Sequence, residues 1–352
     1  MNELKTLAVD MTEAEYHAYP AYSYSIIAKY ARGGFSSLST LFDKTEATPS
    51  MEFGSLFDCM VTRSSDVKKE YCVCDIIPPD SDRKVIDCII SKGNTTTNNI
   101  SDINYEVLQD AFDTCEYYKA WKFDTKVKRI TQYDDYFKAK LSGKNIISST
   151  DWIDAVTMYK SFMQNDFIKN LFGKKSTSKI EYLYQLKFIC NYTLKSGKTV
   201  QIKIMPDLII VNHIDKTIQL VDLKTSSSPA WDFKTNFLNF RYDLQAHTYS
   251  TIIQEIIKAD KTLSAYTVLP YLFVDISRSD MTPVVYTYDQ TDISQVYGLS
   301  ITRDDKTYTY SNWETLLSQI IEYKDTEAKV PSYIDLSKPN DLINILNTTL
   351  WK

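Results

Sequence analysis

The chain has little glycine, no long apolar run and no excess of positive charge. Only eight of its 352 residues are glycine, whereas 26 are tyrosine. We therefore expect few glycine-built turns and many half-buried aromatic faces. No apolar run approaches the ~20 residues that a helix needs to span a bilayer. With 43% hydrophobic and 24% charged residues, the composition is typical of a soluble globular protein of one large or two modest domains.

The cysteines form no C-x-x-C motif. Residues 1–10 contain two acids and lack an apolar core, so we expect no signal peptide. Both observations favour reduced thiols in an intracellular compartment. The six cysteines are Cys59, Cys72, Cys74, Cys88, Cys115 and Cys190.

The charge balance is acidic overall but locally basic. The formal net charge is -5 and the pI is about 5.4, so net charge alone does not indicate a nucleic-acid-binding protein. Residues 116–144, however, contain eight basic side chains and four acids, with Tyr117, Tyr118, Trp121 and Tyr133 among them. This segment is either a solvated helix face or a surface that contacts phosphates and stacks on bases.

Helical patterns dominate the N-terminal part of the chain. Thr12 and Glu15 have the spacing of a capping box, and Ser23 or Ser25 is placed to cap a second helix. A third helix is expected at about 51–62. Further helices are predicted at 105–141 and 150–171, a short strand at 71–77 and a mobile loop at 93–97.

Strand patterns begin near residue 180. Three apolar or alternating runs are joined by turn residues at 196–197 and 212–216, which predicts a three-stranded antiparallel meander. The runs are 180–190, 199–211 and 217–223, and after them we expect a helix at 243–258, strands at 265–276 and 282–288, and a helix at 313–323. The expected fold is therefore α/β (α+β), with a mixed sheet flanked by helices. A mostly helical region at 1–150 would pack on a core at 151–352 in one compact unit.

Two acids and a lysine stand at corresponding ends of two of these strands. If the turn lies at 212–216, Asp207 faces Asp222 across the hairpin, and Lys224 shares a face with Asp222. Glu181 on the preceding strand is able to join them. Carboxylate oxygens suit Mg²⁺, and a nearby lysine can stabilise negative charge on a phosphate. A surface ion pair is the plainer alternative, because D-x-K occurs six times in this chain.

These residues resemble a known family. Pro206-Asp207, Asp222-Leu223-Lys224 and the later Q-x-x-x-Y from Gln245 to Tyr249 are similar to the PD-(D/E)-x-K nucleases of the RecB and RecE branch, including phage enzymes like exodeoxyribonuclease VIII. More loosely, the resemblance extends over most of the chain. It implies a restriction-endonuclease-like core and a Mg²⁺- or Mn²⁺-dependent exonuclease that hydrolyses linear double-stranded DNA.

The resemblance also implies roles for individual residues. Asp207, Asp222 and the Leu223 carbonyl would be metal ligands, Lys224 the catalytic lysine and Glu181 the acid of the first core strand. By the same resemblance, Gln245 and Tyr249 would orient the site or contact DNA. The family usually has a metal-binding histidine on an early helix, where this chain has Asp58, which can also ligate Mg²⁺ or Mn²⁺.

Other consequences of the resemblance concern cofactors and partners. Some relatives hold an iron-sulfur cluster through cysteines after the Q-x-x-x-Y helix, but no cysteine follows Cys190, so no cluster is expected. Neither do we expect the three histidines, His17, His213 and His247, to form a zinc site. The partners would be DNA and a single-strand annealing protein, and the chain would form homo-oligomers. Its location would be the cytoplasm, or the cytoplasm of the host cell if the protein is encoded by a phage. Endonuclease or nickase activity, a DNA-binding accessory role without turnover and an unrelated α/β protein remain alternatives.

Overall fold

The computed structural model describes residues 3–43, 47–92, 97–289, 298–303 and 305–325. Helix outweighs strand, 51% against 21%, in a mixed α/β structure with a mixed sheet, as predicted. The loop predicted at 93–97 lies outside the described residues except for Thr97. None of the described helices combines the length and apolar character needed to cross a bilayer.

The secondary structure comprises both long helices and many short strands. The described helices are α1 Glu3–Thr6, α2 Glu13–Ala18, α3 Tyr24–Gly33, α4 Pro49–Thr62, α5 Val67–Glu70, α6 Asp80–Ser91, α7 Tyr105–Thr114, α8 Phe123–Ile130, α9 Asp134–Leu141, α10 Ser149–Gln164, α11 Asp166–Phe172, α12 Phe233–Phe240, α13 Tyr242–Ala259 and α14 Trp313–Asp325. The described strands are β1 Tyr71–Cys74, β2 Asn145–Ser148, β3 Ile180–Tyr184, β4 Phe188–Thr193, β5 Thr199–Ile204, β6 Leu208–Asn212, β7 Thr217–Ser226, β8 Thr267–Val268, β9 Tyr271–Ser277, β10 Pro283–Tyr288, β11 Leu299–Arg303 and β12 Lys306–Tyr310.

The chain forms two compact units. Residues 1–46 and 161–352 form the first, called the sheet unit below, and residues 47–160 form the second, called the helical unit. This division differs from the expected boundary near residue 150, because the first 46 residues belong with the sheet. The isolated bridge between Tyr22 and Ile202 and the buried Lys203 account for the difference.

Lys203 ties the N-terminal helices to the sheet unit. Its Nζ atom donates hydrogen bonds to the backbone carbonyls of Tyr16, His17 and Tyr19, at 2.8, 3.0 and 2.8 Å. These carbonyls close the C-terminal end of α2, where a cation is favoured by the helix dipole. At its other end, α2 begins with the predicted capping box between Thr12 and Glu15, which is confirmed.

A mixed sheet lies at the centre of the sheet unit, with strand order β10-β9-β7-β6-β3. The strands β3, β6 and β7 are antiparallel, β9 runs parallel to β7, and the short β8 also pairs with β7. Helix α13 packs its apolar residues into the same core as β6, β7 and β9. The three antiparallel strands match the predicted meander in direction and in the turn between β6 and β7.

Two of the three predicted strands are interrupted, which the sequence analysis missed. The run at 180–190 breaks at Gln185, whose φ is 48°, into β3 and β4. The run at 199–211 breaks before Asp207, at Pro206, which has no N–H to donate to a ladder. The inner pieces, β4 and β5, form a separate two-stranded hairpin. The predicted helix at 150–171 is likewise two helices, because the Asn165 side chain caps α11.

The helical unit has its own core. Strands β1 and β2 pair in parallel, and α6, α7 and α9 contribute buried residues such as Ile86, Phe112 and Phe137. Most basic side chains of residues 116–144 are engaged within this unit. Four form ion pairs and two contact a carbonyl or a ring, namely Lys119 with Glu116, Arg129 with Asp82, Lys138 with Asp135, Lys140 with Asp87, Lys144 with the Lys68 carbonyl, and Lys126 over Phe112.

Candidate active site

Asp222 lies in the middle of β7 and is 1% exposed. Its neighbours Leu220, Val221 and Leu223 are buried apolar residues, so the strand is held between β6 and β9 by its own hydrophobic side chains. A carboxylate in this position loses its hydration and needs polar partners. Burial raises the pKa of Asp222, against the opposite effects of Lys224 and Gln245.

Asp207 stands where the sequence analysis placed it, opposite Asp222. Leu208 pairs with Val221 in the antiparallel ladder, and the next position of the same register brings Asp207 to Asp222. The Oδ2 atom of Asp207 accepts a hydrogen bond from the backbone N–H of Leu223 at 2.7 Å. The half-buried Asp207 carboxylate is therefore held against the backbone next to Asp222.

Lys224 lies on the same face of β7 as Asp222. Its Nζ is 2.5 Å from Asp222 Oδ2 and 4.7 Å from the centre of the Tyr242 ring. Burial disfavours the ammonium charge, but Asp222, Tyr242 and Asp207 outweigh burial and raise the pKa of Lys224 above its usual value. The lysine therefore keeps its charge in a position fixed by an ion pair and an aromatic face.

Helix α13 places an amide beside the pair. Gln245 is 4% exposed, and its Nε2 donates to the other oxygen of Asp222, Oδ1. Its Oε1 is buried and accepts no hydrogen bond within the described part of the chain. Tyr249, one turn further along the same helix face, is 9% exposed. Burial, with smaller contributions from Tyr16, Asp222 and Asp207, raises its pKa well above the usual value.

Glu181 is not brought to this site. It pairs with Val211 in the ladder of β3 and β6, whereas the residue beside Asp207 is Gln185, whose N–H donates to the Asp207 carbonyl at 3.2 Å. Four residues of strand separate Val211 from Asp207, which is a distance of about 13 Å. Glu181 instead lies 3.4 Å from His213 Nε2. The expectation that Glu181 joins Asp207 and Asp222 is corrected accordingly.

Asp58 lies on α4 in the helical unit and is half-buried. Its backbone carbonyl accepts a hydrogen bond from Thr62 Oγ1 at 2.8 Å. Its place as a metal ligand, like that of the Leu223 carbonyl, stays a prediction. Two of the histidines contact tyrosine hydroxyls: His213 Nδ1 is 2.7 Å from the Tyr266 hydroxyl, and His247 Nε2 is 3.1 Å from that of Tyr288.

Asp275 is a candidate site residue that the sequence analysis missed. It pairs with Lys224 in the parallel ladder of β7 and β9 and is 1% exposed. Its Oδ2 accepts from Ser226 Oγ at 3.2 Å, while its buried Oδ1 accepts from no described residue. Burial, aided by the nearby Asp280, raises its pKa to about 7. The sequence feature that could have identified Asp275 is an acid inside the apolar run of β9, the same context as that of Asp222 in β7.

The donor atoms suit a hard divalent cation. Across the described ranges, no three His, Cys, Asp or Glu side chains are grouped closely enough to hold a metal ion. The oxygen donors at the site are instead two carboxylates, Asp207 and Asp222, and the unsatisfied amide oxygen of Gln245. Mg²⁺ prefers oxygen ligands and keeps several water molecules in its coordination shell. The six cysteines of the chain are all free thiols.

Comparisons with known proteins do not identify the chain. No protein-family model matches it, and no curated protein does. Among solved structures, a crystal structure described as that of SSO0001 is 14% identical and covers 61% of this chain and 82% of its own, with a TM-score of 0.27. A TM-score this low establishes neither a shared fold nor a shared activity.

Proposed function

We propose that this protein is a divalent-metal-dependent deoxyribonuclease of the PD-(D/E)-x-K type, with a restriction-endonuclease-like core and exonuclease activity on linear double-stranded DNA, as in the RecE branch. One observation supports this more than any other. Asp207 before β6, Asp222 and Lys224 on β7 and Gln245 on α13 lie together at the open end of the β6–β7 hairpin, among buried apolar residues.

Each of these residues has a defined task in the proposed reaction. Asp207 and Asp222 would hold the ion, with the Leu223 carbonyl and Gln245 Oε1 as further oxygen donors. When bound, a divalent ion polarises the phosphodiester and lowers the pKa of a water molecule. Lys224 supplies a fixed positive charge toward the phosphate oxygens as negative charge develops on them. Tyr242 and Gln245 keep Lys224 and Asp222 in place.

The decisive experiment compares two lysines of the same D-x-K spacing. Purified wild-type protein is incubated with linear duplex DNA and Mg²⁺ or Mn²⁺, and nucleotide release is measured. Lys224→Ala is expected to reduce the rate by at least about a hundredfold. Lys234→Ala is the matched control, because Lys234 is exposed, belongs to the D-x-K at Asp232 in the same unit and should leave the rate unchanged. Equal rates for both variants would refute the proposal.

The same assay separates the neighbouring hypotheses. Cleavage of closed circular DNA would favour an endonuclease or nickase, whereas release from linear DNA alone supports the exonuclease. An accessory protein would bind DNA without hydrolysing it under any of the metals. A single-strand annealing protein as partner, homo-oligomers and a cytoplasmic location follow from the proposed family and belong to this proposal.

A further inference from the structure

A stacked pair of aromatic rings lies on the surface of the helical unit. Tyr118 and Trp121 have ring centroids 4.2 Å apart and planes inclined by 11°. The two residues are 37% and 40% exposed. Two large rings that stack on each other while staying this exposed contribute little to a core. They occur in a segment, 116–144, that has eight basic and four acidic side chains.

The stack is supported from beneath by a buried network. Asp82 is fully buried; its Oδ1 accepts from the Tyr117 hydroxyl at 2.6 Å and from Arg129 Nε at 3.2 Å, and its Oδ2 lies 2.9 Å from the second guanidinium nitrogen. The Arg129 guanidinium in turn lies over the Tyr118 ring, 5.5 Å from its centre. Tyr117 meets Tyr118 edge to face at 4.7 Å.

The backbone beneath the stack adopts an unfavourable conformation. Helix α7 ends through Glu116 in the left-handed region, at φ 49°, and Tyr118 repeats it at φ 37°. The first is a common helix ending. The second costs free energy in an aromatic residue, and it directs the chain into the tight turn in which the Trp121 N–H donates to the Tyr118 carbonyl at 2.8 Å. The turn holds the two rings together at the surface.

Two exposed lysines lie close to the rings in the sequence. Lys122 follows Trp121 directly, and Lys128 precedes Arg129 on α8; both are exposed. Neither forms an ion pair with any acid that the structure describes, unlike most of their basic neighbours. Aromatic faces beside free lysines are the combination with which proteins hold unpaired bases and their phosphates. A protein partner would be expected to cover the rings with apolar side chains and to have no need of the lysines.

We propose that Trp121, supported by Tyr118 and Arg129, is a stacking site for unpaired bases of single-stranded DNA, with Lys122 and Lys128 contacting the phosphates. Tyr117, Tyr118 and Arg129 already surround one another, so the outer face of Trp121 is the one that receives a base. This surface belongs to the helical unit and is independent of the nuclease proposal, because it binds DNA without hydrolysing it.

The test measures binding of the full chain to a fluorescein-labelled oligothymidine in EDTA, where hydrolysis does not occur. Trp121→Ala is expected to weaken binding roughly tenfold and Trp121→Phe much less. The control is Trp231→Ala, because Trp231 is even more exposed at 73% but lies in the sheet unit; it should bind as wild type does. Lys122→Ala should make binding less dependent on salt.

Three results would overturn the proposal. The first is no binding of the oligonucleotide by the wild-type chain, which would leave the rings to a protein partner. The second is equal binding by Trp121→Ala and wild type, and the third is an equal loss in the Trp121 and Trp231 variants. Because Trp121 is exposed, its replacement leaves the core of the helical unit intact, and an unchanged circular dichroism spectrum verifies this.

Discussion

The two compact units each contain a fully buried aspartate with a positively charged partner, and the two aspartates differ in the kind of groups that bind them. Asp82 in the helical unit is bound by Arg129 on both oxygens and by the Tyr117 hydroxyl. Asp222 in the sheet unit has a lysine and an amide. Around Asp82 the geometry is closed and bidentate, which suits a structural ion pair.

Two further acids lie near Asp222. Asp207 lies across the hairpin and Asp275 lies one strand beyond Lys224. Buried oxygens of Gln245 and Asp275 accept no hydrogen bond from the described residues. Unsatisfied buried oxygens are costly. The Oδ2 atoms of Asp82 and Asp222 each have only an ion pair, with Arg129 and Lys224, but the Asp222 site has two further unsatisfied oxygens, on Gln245 and Asp275, as the proposed ion site requires.

The strongest test of this difference is Asp222→Asn. Activity on linear duplex DNA is expected to fall at least about a hundredfold, since the proposed ion ligand and the partner of Lys224 are lost together. Stability should fall little, because the variant removes a buried carboxylate whose pKa is raised by burial, and Lys224 keeps Asp207 and the Tyr242 ring near it. Nuclease rates and urea unfolding of the same preparation measure both. A large loss of stability would mean that Asp222 is structural, like Asp82.

The opposite outcome is expected for Asp82→Asn. It breaks a buried ion pair and leaves Arg129 and Tyr117 without their partner, so the free energy of unfolding should fall by about 3 kcal/mol. Asp135→Asn is the control, because the Asp135 side chain is 90% exposed and its loss should change stability by no more than about 0.5 kcal/mol. If the two variants unfold alike, the Asp82 network is not structural.

The smallest effect concerns Asp275 and pH. Its pKa of about 7 lies above that of an aspartate in the unfolded chain. Between about pH 4 and pH 7, Asp275 is therefore protonated in the folded chain and ionised in the unfolded chain. The stability that this protonation contributes is lost as pH rises through that range. Asp275→Asn removes the dependence. Relative to that of wild type, the free energy of unfolding of the variant should rise by about 2 kcal/mol between pH 5 and pH 8.

Unfolding curves at those two values, measured in urea, test the Asp275 prediction. Wild type and Asp275→Asn should differ more at pH 8 than at pH 5. Parallel behaviour at both values would show that Asp275 titrates as an ordinary exposed carboxyl does.

The features that the sequence predicted correctly depend on short-range patterns. The capping box of Thr12 and Glu15 involves neighbouring residues, and the turn at 212–216 sets the register that brings Asp207 to Asp222. The position of Lys224 on the same face as Asp222 follows from the two-residue period of a strand. Each of these inferences needs only one element or one hairpin, and the structure confirms the positions, while the catalytic roles remain predictions.

The features that the sequence did not predict depend on distant pairings. Glu181 is the exception, because the register set by the turn at 196–197 continues across the break at Gln185: Phe188 pairs with Ile204, and Ile180 pairs with Asn212. This register places Glu181 opposite Val211, at the far end of β6 from Asp207. Asp275 lies beside Lys224 only because β9 returns parallel to β7 after the whole of α13. No local pattern specifies which strand will be the neighbour across such a connection.

The sheet unit is built from two segments of the chain, which has a consequence for synthesis on the ribosome. Residues 1–46 leave the ribosome first, but Lys203 and Ile202, which fix them, are made only after the entire helical unit. At about 5–20 residues per second, the intervening segment takes several seconds to translate. The helical unit can therefore fold before the residues that bind the N-terminal helices have been synthesised, and the sheet unit completes its folding last.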